Sequence, residues 1–363
     1  MHETEVLLIG AGPIGLELAV AIKDAGIDYI HVDAQQIGHT ISWFPRQCRF
    51  FSSPERIAIS GVPLETVDQS KASREEYLAY LRGIVKQFDL QINTFERVNA
   101  IQPISESSSG ARFAVETSRP DGDHTYRARH VILAIGDMHR ARTIQQADGN
   151  PIPGSDLPHV NHYFDEAHVY FGKKLLIVGG KNSAVEAAIR CHRVGAEVAV
   201  SYRRDQFSAS SIKYWLKPEI EWLIKTGAIQ FYPHTIPSHI TAMTVTLEST
   251  AAGGGPTQEI PADFVLMLIG YEMDSSLLSM SGVDLIGESR APALNIDTME
   301  TNVPGLFVAG TAAAGTQLRF KLFIENCHSH VVRIIRALTG NDPRHVNPLA
   351  YQRLHEHPLA AEN

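Results

Sequence analysis

Cysteine is scarce in this chain, three among 363 residues, and no two of Cys48, Cys191 and Cys327 form a CxxC pair. So few and so scattered, they exclude a disulfide framework, and any thiol chemistry must use a single cysteine or none. No apolar run approaches the roughly 20 residues that a membrane-spanning helix needs. Basic clusters are missing too: the formal charge of −8 is spread along the chain, with no stripe that would track nucleic acid and no polybasic run for anionic lipid. The 17 histidines are scattered without ligand spacing, so no metal is expected. Neither a charged leader nor a cleavage site opens the sequence, which predicts a cytoplasmic protein. What remains is a chain whose partners are small molecules.

What the sequence does contain is enough apolar material, 44% of its residues, for two cores rather than one. Glu5 to Ile9 predicts a strand, followed by a glycine-rich turn, a helix to about Ala25 and a strand over Tyr29 to Val32. The same grammar restarts at Lys174 to Val178, with a turn from Gly179 to Ala184, a helix over Val185 to Val194 and a strand over Glu197 to Ser201. These are two βαβ starts of the kind that cradle nucleotides. Between them the sequence predicts a helix over Arg74 to Phe88, a polar hairpin around Ser105 to Gly110 and a strand over Val131 to Ala134. Pro151, Pro153 and Pro158 mark the connection into the second start, and Gly253 to Pro256 reads as a hairpin loop; plain flexible surface is the simpler role for both. Near the end, Pro304 to Gly310 predicts a strand running into a glycine turn, then a helix from about Phe323 to Leu338. With no βαβ partner of its own, this last segment is expected to return to the first domain. The predicted fold is therefore α/β, with two Rossmann-like three-layer nucleotide-binding domains, the second (141–279) inserted into a discontinuous first (1–140 and 280–363).

The first turn reads Gly10-Ala11-Gly12-Pro13-Ile14-Gly15. Its first glycine makes the tight turn, the second lets backbone approach a pyrophosphate, and the third allows close helix packing. The pyrophosphate then rests on the helix N-terminus, where unpaired N–H groups favour an anion. Asp33, followed by Ala34 at the end of the second strand, is placed to accept hydrogen bonds from a ribose. The second turn, Gly179-Gly180-Lys181-Asn182-Ser183-Ala184, has Lys181 where a middle glycine is usual, and its ammonium can reach a phosphate. Its following strand ends in Tyr202-Arg203-Arg204 instead of an acid. Two guanidinium groups suit a 2′-phosphate, so this site is expected to prefer NADPH over NADH; solvated surface charges are the plainer alternative. Two unlike nucleotide sites in one chain imply two cofactors, FAD at the acid-bearing turn and NADPH at the other. Ala134-Ile135-Gly136 and Ile269-Gly270-Tyr271 then read as crossover segments that approach them.

These residues resemble the thioredoxin-reductase-like FAD/NADPH oxidoreductases. Gly10 to Gly15, GGKNSAVEAA from Gly179, Tyr202-Arg203-Arg204 and Thr301 to Gly310 carry the likeness to the superfamily. FFSSPERIAISGVPL from Phe50, HYFDEAHVYF from His162, SIKYWLKPEIE from Ser211 and FIEN from Phe323 carry the likeness to its bacillithiol disulfide reductase branch. The resemblance implies that Gly310 and Thr311 face the FAD pyrophosphate or ribitol, that Phe50 to Ser53, Phe51 among them, lie near the flavin, and that the protein is a homodimer or homotetramer. It also implies a low-molecular-weight disulfide such as oxidised bacillithiol as electron acceptor. Two departures stand out. Many members have an acid where this chain has Thr311, and the branch has a cysteine where this chain has Ile14. Cys48, between Arg46 and Arg49, is the candidate catalytic thiol that remains, because neighbouring cations favour thiolate. Cys327, flanked by His328 and His330, is a candidate thiol and base pair. An idle structural thiol is the plainer reading of each. A flavin-dependent monooxygenase and a flavoprotein electron donor or redox sensor for a protein partner use the same two-domain plan, and stand as rivals.

Overall fold

A computed structural model describes residues 2–105, 110–208, 211–317 and 322–357; the hairpin expected around Ser105 to Gly110 falls mostly outside them. The chain forms two compact units. One comprises Met1–Ser42, Gln47–Arg140 and Glu272–Asn363, the other Trp43–Arg46 and Ala141–Tyr271. The second unit thus ends at Tyr271 rather than 279, and takes in a short piece of the N-terminal region that no shift in composition marks.

In the first unit, strand His2–Ile9 lies between Tyr29–Val32 and Gly122–Leu133, parallel to both. Strand Leu306–Val308 continues the parallel set on Gly122–Leu133, with Val308 opposite Leu133. Gly122–Leu133 is longer than expected because it serves both the parallel and the antiparallel part of one six-stranded sheet. Its early half pairs antiparallel with Phe113–Arg119, which in turn pairs with Arg97–Pro103. The charged residues of that half hide the strand from a search for apolar runs. Helix Pro13–Asp24 is buried through Leu16, Leu18, Ala19, Val20 and Ile22, which is why its sequence reads apolar all round rather than amphipathic. Helix Arg74–Gln87 starts at a capping box, Ser73 with Glu76, which satisfies two orphan backbone donors. Helix Ile324–Thr339 ends at Gly340 in the left-handed region.

In the second unit five parallel strands run in the order Gln230–Pro233, Glu197–Tyr202, Lys174–Val178, Phe264–Met267, Val160–Asn161. Side chains of successive residues point to opposite faces of a strand, and the core follows that rule. Leu175 and Ile177 pack with Ala184, Val185, Ala188 and Ile220 from the helices. Leu176 and Val178 pack with Val245, Leu247 and Ile260, which belong to an antiparallel sheet of Thr235–Ile240, Thr244–Ser249 and Gln258–Pro261. Helix, parallel sheet and antiparallel sheet make three layers. The Gly253 to Pro256 loop joins the last two strands of that antiparallel sheet, as its composition predicts. Helix Asn182–Arg193 begins at the glycine turn itself, earlier than the apolar pattern from Val185 suggests. No helix among the described residues is long and apolar enough to cross a membrane.

Candidate functional site

Each unit gathers its glycine turn at the carboxyl end of its central strand, where neighbouring strands lead away to either side and open a crevice. In the first unit Gly10 has φ +107°, and a Cβ there would lie 2.4 Å from the Ala134 carbonyl oxygen. A Cβ on Gly15 would lie 1.9 Å from the Gly10 carbonyl oxygen. Both glycines are thus demanded by the protein's own packing. Gly12 differs: a Cβ there would meet nothing within 4 Å. Room left open over the N-terminus of Pro13–Asp24 is what a bound dinucleotide needs, so the cradle fits FAD.

The segments expected around this cradle do converge. Ile14 Cβ lies 3.6 Å from where Gly310 would carry a Cβ, and Thr311 Oγ1 lies 3.8 Å from the equivalent point on Gly136. Gly136 and Gly310 have φ +74° and +70°. The Asp33 carboxylate accepts from Ala11 N at 2.6 Å and Gln35 N at 2.7 Å, which locks the turn to the second strand. Burial pushes the Asp33 carboxyl up, opposed by those two backbone donors and by His39 and Arg97. His31, which the sequence does not mark, donates from Nε2 to the Gly10 carbonyl at 2.9 Å. Burial pushes its pKa down to about 4, so it is a neutral strut under the first glycine.

Cys48 and Phe51 occupy a loop stitched to the start of Arg74–Gln87: Phe50 N donates to Ala72 O and Arg74 N to Cys48 O. The Phe51 ring is 53% exposed and lies under the Lys71 ammonium, 4.8 Å from its centroid. The cations expected to activate Cys48 are both engaged by acids. Arg46 pairs with Asp165 and Glu166 at 3.3 and 3.5 Å, and Arg49 with Asp68 at 2.8 Å. Cys327 is fully buried, and burial pushes its thiol well up, with Asp137 and Glu17 adding to it. Its expected base His328 is used elsewhere, donating to Glu17 Oε2 at 2.6 Å and to the Arg56 carbonyl at 3.0 Å. Burial likewise pushes Cys191 up to about 12. Neither buried thiol is suited to nucleophilic work.

In the second unit Gly179 has φ +139°, and a Cβ would lie 2.4 Å from the Leu268 carbonyl oxygen and 3.1 Å from Ala184 Cβ. A Cβ on Gly180 would strike the Tyr202 ring at 2.4 Å. Close packing is therefore carried by Gly179 and Gly180, which leaves Lys181 free to differ from glycine. Lys181 is the N-cap of Asn182–Arg193. Asn182 Oδ1 turns inward to accept from Lys213 N at 2.7 Å, whereas Ser183 is exposed. Gly270 has φ +103° and its carbonyl accepts from Arg142 N at 2.9 Å. Arg142 Nε donates to the Tyr271 carbonyl at 3.0 Å.

Burial lowers the Lys181 pKa, and the charges of Arg142, Arg203 and Arg204 lower it further. Four cations therefore converge at the carboxyl ends of three adjacent parallel strands. Arg203 and Arg204 are exposed, and their carbonyls accept from Thr250 Oγ1 and His234 N, so backbone fixes where they stand. Among the described residues no acid pairs with Arg142, Arg203 or Arg204. Arg142 is the member that the sequence conceals, a lone arginine in the Pro-rich connection with no motif around it. Its position follows only from the pairing of that connection with Gly270. Among the described residues, no group of three or more His, Cys, Asp or Glu could hold a metal.

Residues 7–310 match the pyridine nucleotide-disulphide oxidoreductase family. The chain is 36% identical over 330 residues to the bacilliredoxin reductase Bdr of Bacillus subtilis (strain 168), covering 91% of this chain and 96% of that protein. Two solved structures superpose along nearly the whole chain. The bacillithiol disulfide reductase Bdr (YpdA) from Bacillus cereus does so with TM-score 0.85 at 35% identity, covering 93% of this chain and 99% of that one. The Staphylococcus aureus protein of the same description does so with TM-score 0.84 at 33% identity, covering 94% and 99%. This chain therefore belongs to the pyridine nucleotide-disulphide oxidoreductase family, as an NADPH-dependent flavoprotein oxidoreductase whose cofactors are FAD and NADPH.

Proposed function

We propose that the chain passes hydride from NADPH to FAD and then reduces a low-molecular-weight disulfide such as oxidised bacillithiol. FAD belongs to the first unit, held by Gly10, Gly12, Pro13, Ile14, Gly15, Asp33 and Ala34 with Ala134, Gly136, Gly310 and Thr311. NADPH belongs to the second, held by Gly179, Lys181, Ser183, Ala184, Arg203, Arg204 and Gly270, and by Arg142. The observation that carries this reading is the opposite character of the two turns. One binds a carboxylate, Asp33, to its own backbone; the other is ringed by four cations. A 2′-phosphate offsets the mutual repulsion of those cations, and the phosphate-free ribose of NADH does not. The nicotinamide supplies hydride, and the protein's part in that step is position and charge.

The similar proteins of Bacillus cereus and Staphylococcus aureus are bacillithiol disulfide reductases by description, which supports the small disulfide. Position 14 holds Ile14, buried against Gly310, so no thiol stands in that turn to relay electrons. The Bacillus subtilis relative is a bacilliredoxin reductase by name, which favours a small carrier protein as the second reading. Anaerobic stopped-flow absorbance decides between them. Bleaching of the flavin by NADPH far faster than by NADH, then prompt reoxidation by oxidised bacillithiol, is the expected result. Reoxidation only by an oxidised bacilliredoxin selects the second reading, and no bleaching by NADPH overturns both. A cytoplasmic homodimer or homotetramer completes the proposal, and sedimentation velocity tests its size.

A further inference from the structure

Trp43–Arg46 is the piece of the N-terminal region that belongs to the second unit, and it is fastened there at both ends. Arg46 N donates to Asp165 O at 3.1 Å, and the Arg46 carbonyl accepts from Arg190 Nη2 at 2.7 Å. At the other end the Trp43 ring packs edge-on against Tyr163, with centroids 5.3 Å apart, and lies 6.4 Å from Tyr271. Tyr163 and Tyr271 are 5.9 Å from each other. Three rings from three distant segments thus close into one cluster. The Tyr163 hydroxyl accepts from Ala141 N at 3.3 Å, and the Tyr271 carbonyl accepts from Arg142 Nε, which pins the cluster to the connection that carries Arg142.

The parallel strands of this unit run in the order Glu197–Tyr202, Lys174–Val178, Phe264–Met267, Val160–Asn161. Just past their carboxyl ends stand, in the same order, Arg203 with Arg204, the Gly179 turn, Gly270 with Tyr271, and Tyr163. NADPH has a matching linear order of 2′-phosphate, pyrophosphate and nicotinamide. With the phosphate on the arginines and the pyrophosphate on the turn, the remaining half of the molecule is carried over Phe264–Met267 towards the three rings. From the first of these strands to the last is three strand spacings, roughly 14 Å, a span that an extended dinucleotide covers across such a crevice. Tyr163 is 39% exposed, while Trp43 and Tyr271 are half-buried, so the cluster offers aromatic surface to a flat ring. We propose that Trp43, Tyr163 and Tyr271 seat the nicotinamide of NADPH, so that a segment from outside the Ala141–Tyr271 insertion supplies part of the second nucleotide site. The inference rests on the assignment of NADPH to the second unit.

The FAD-loaded protein is titrated calorimetrically with NADP+, which cannot reduce the flavin, and with 2′-phospho-ADP-ribose, which carries the phosphate and the pyrophosphate but no nicotinamide. Trp43→Ala and Tyr163→Ala are each expected to weaken NADP+ by about tenfold, the size of a lost stacking contact, and to leave 2′-phospho-ADP-ribose within about twofold. Trp43→Phe keeps a ring and should retain most of the affinity for NADP+. Equal losses for the two ligands would make the cluster a structural fastening and overturn the proposal, as would unchanged affinity for NADP+ in both alanine variants. Should Trp43→Ala fail to fold by circular dichroism, Tyr163→Ala, at a more exposed position, decides. Wild-type protein that binds neither ligand sinks the assignment of NADPH to this unit, a result separate from any of these.

Discussion

Lys181 stands among three arginines, Arg142, Arg203 and Arg204, with which no acid pairs among the described residues, an arrangement that costs free energy until an anion arrives. Removing one or two of those charges should therefore act on the nucleotide more than on the fold. Arg203→Ala with Arg204→Ala is expected to raise the KM for NADPH by roughly 100-fold, as two charge-assisted hydrogen bonds are lost, and to leave the KM for NADH within about twofold. Steady-state kinetics with both nucleotides checks this, and equal losses for the two would disprove the 2′-phosphate role. Arg142→Ala should weaken NADPH as well, and its thermal unfolding should match the wild type. At this scale the sequence is readable where chemistry follows a motif: Asp33, Lys181, Arg203 and Arg204 are all visible from spacing. Arg142 and His31 are not, because each gains its role from a strand or connection elsewhere in the sequence. The acids that engage the cations beside Cys48 are not legible there either, since Asp165 lies 119 residues beyond Arg46 and Asp68 lies 19 beyond Arg49.

The turn-and-helix element of the first unit separates two jobs that glycine does in one motif. Gly15→Ala drives a Cβ into the Gly10 carbonyl and should lower stability by more than 2 kcal/mol, on the scale of backbone strain and overpacking. Gly12→Ala meets no protein atom, so it should leave the unfolding midpoint within about a degree while weakening FAD severely. Denaturation and flavin retention together read both, and a Gly12→Ala protein that unfolds early would contradict the open cradle. The helix is held in place by Glu17, fully buried, which accepts from Ser60 N, Asn347 N and His328. Both ring nitrogens of His328 face acceptors, so the ring is an imidazolium paired with a carboxylate. Glu17→Gln leaves that charge buried and alone, at an expected cost of about 3–5 kcal/mol. Elements with regular apolar periods were legible in advance, such as Lys174–Val178 and helix Ile324–Thr339. The early half of Gly122–Leu133 was not, since its burial alternates with charge.

For the whole molecule the histidines set how stability depends on pH. His31 is held down to about 4 by burial, so between about 6.5 and 4 the unfolded chain binds a proton that the folded one refuses. Stability should fall on acidification across that window, by on the order of 3 kcal/mol for a shift of this size. His130, also lowered to about 4 by burial and by Arg129 and Arg112, adds to the same limb. His328 runs the other way. Burial opposes its charge, but Glu17 and the Arg56 carbonyl outweigh it and the pKa is raised. Its contribution is complete below about 6.5 and is lost as pH rises through the folded value. Urea unfolding should therefore show a maximum near pH 6.5. His31→Gln should flatten the acid limb and His328→Gln the alkaline one. Limbs that stay unchanged in those variants would show that other groups govern them.

The chain leaves and re-enters its first unit, with consequences for its synthesis. Residues up to Tyr271 emerge from the ribosome before Leu306–Val308, so the second unit has all its parts while the first still waits for a strand. During that interval Val131–Leu133 is an unpaired, wholly apolar sheet edge, the kind of surface that recruits other chains. Translation that stalls between 272 and 305 would release a species with one finished unit and one open edge. Aggregation of this protein during expression should therefore follow the speed of decoding through that stretch.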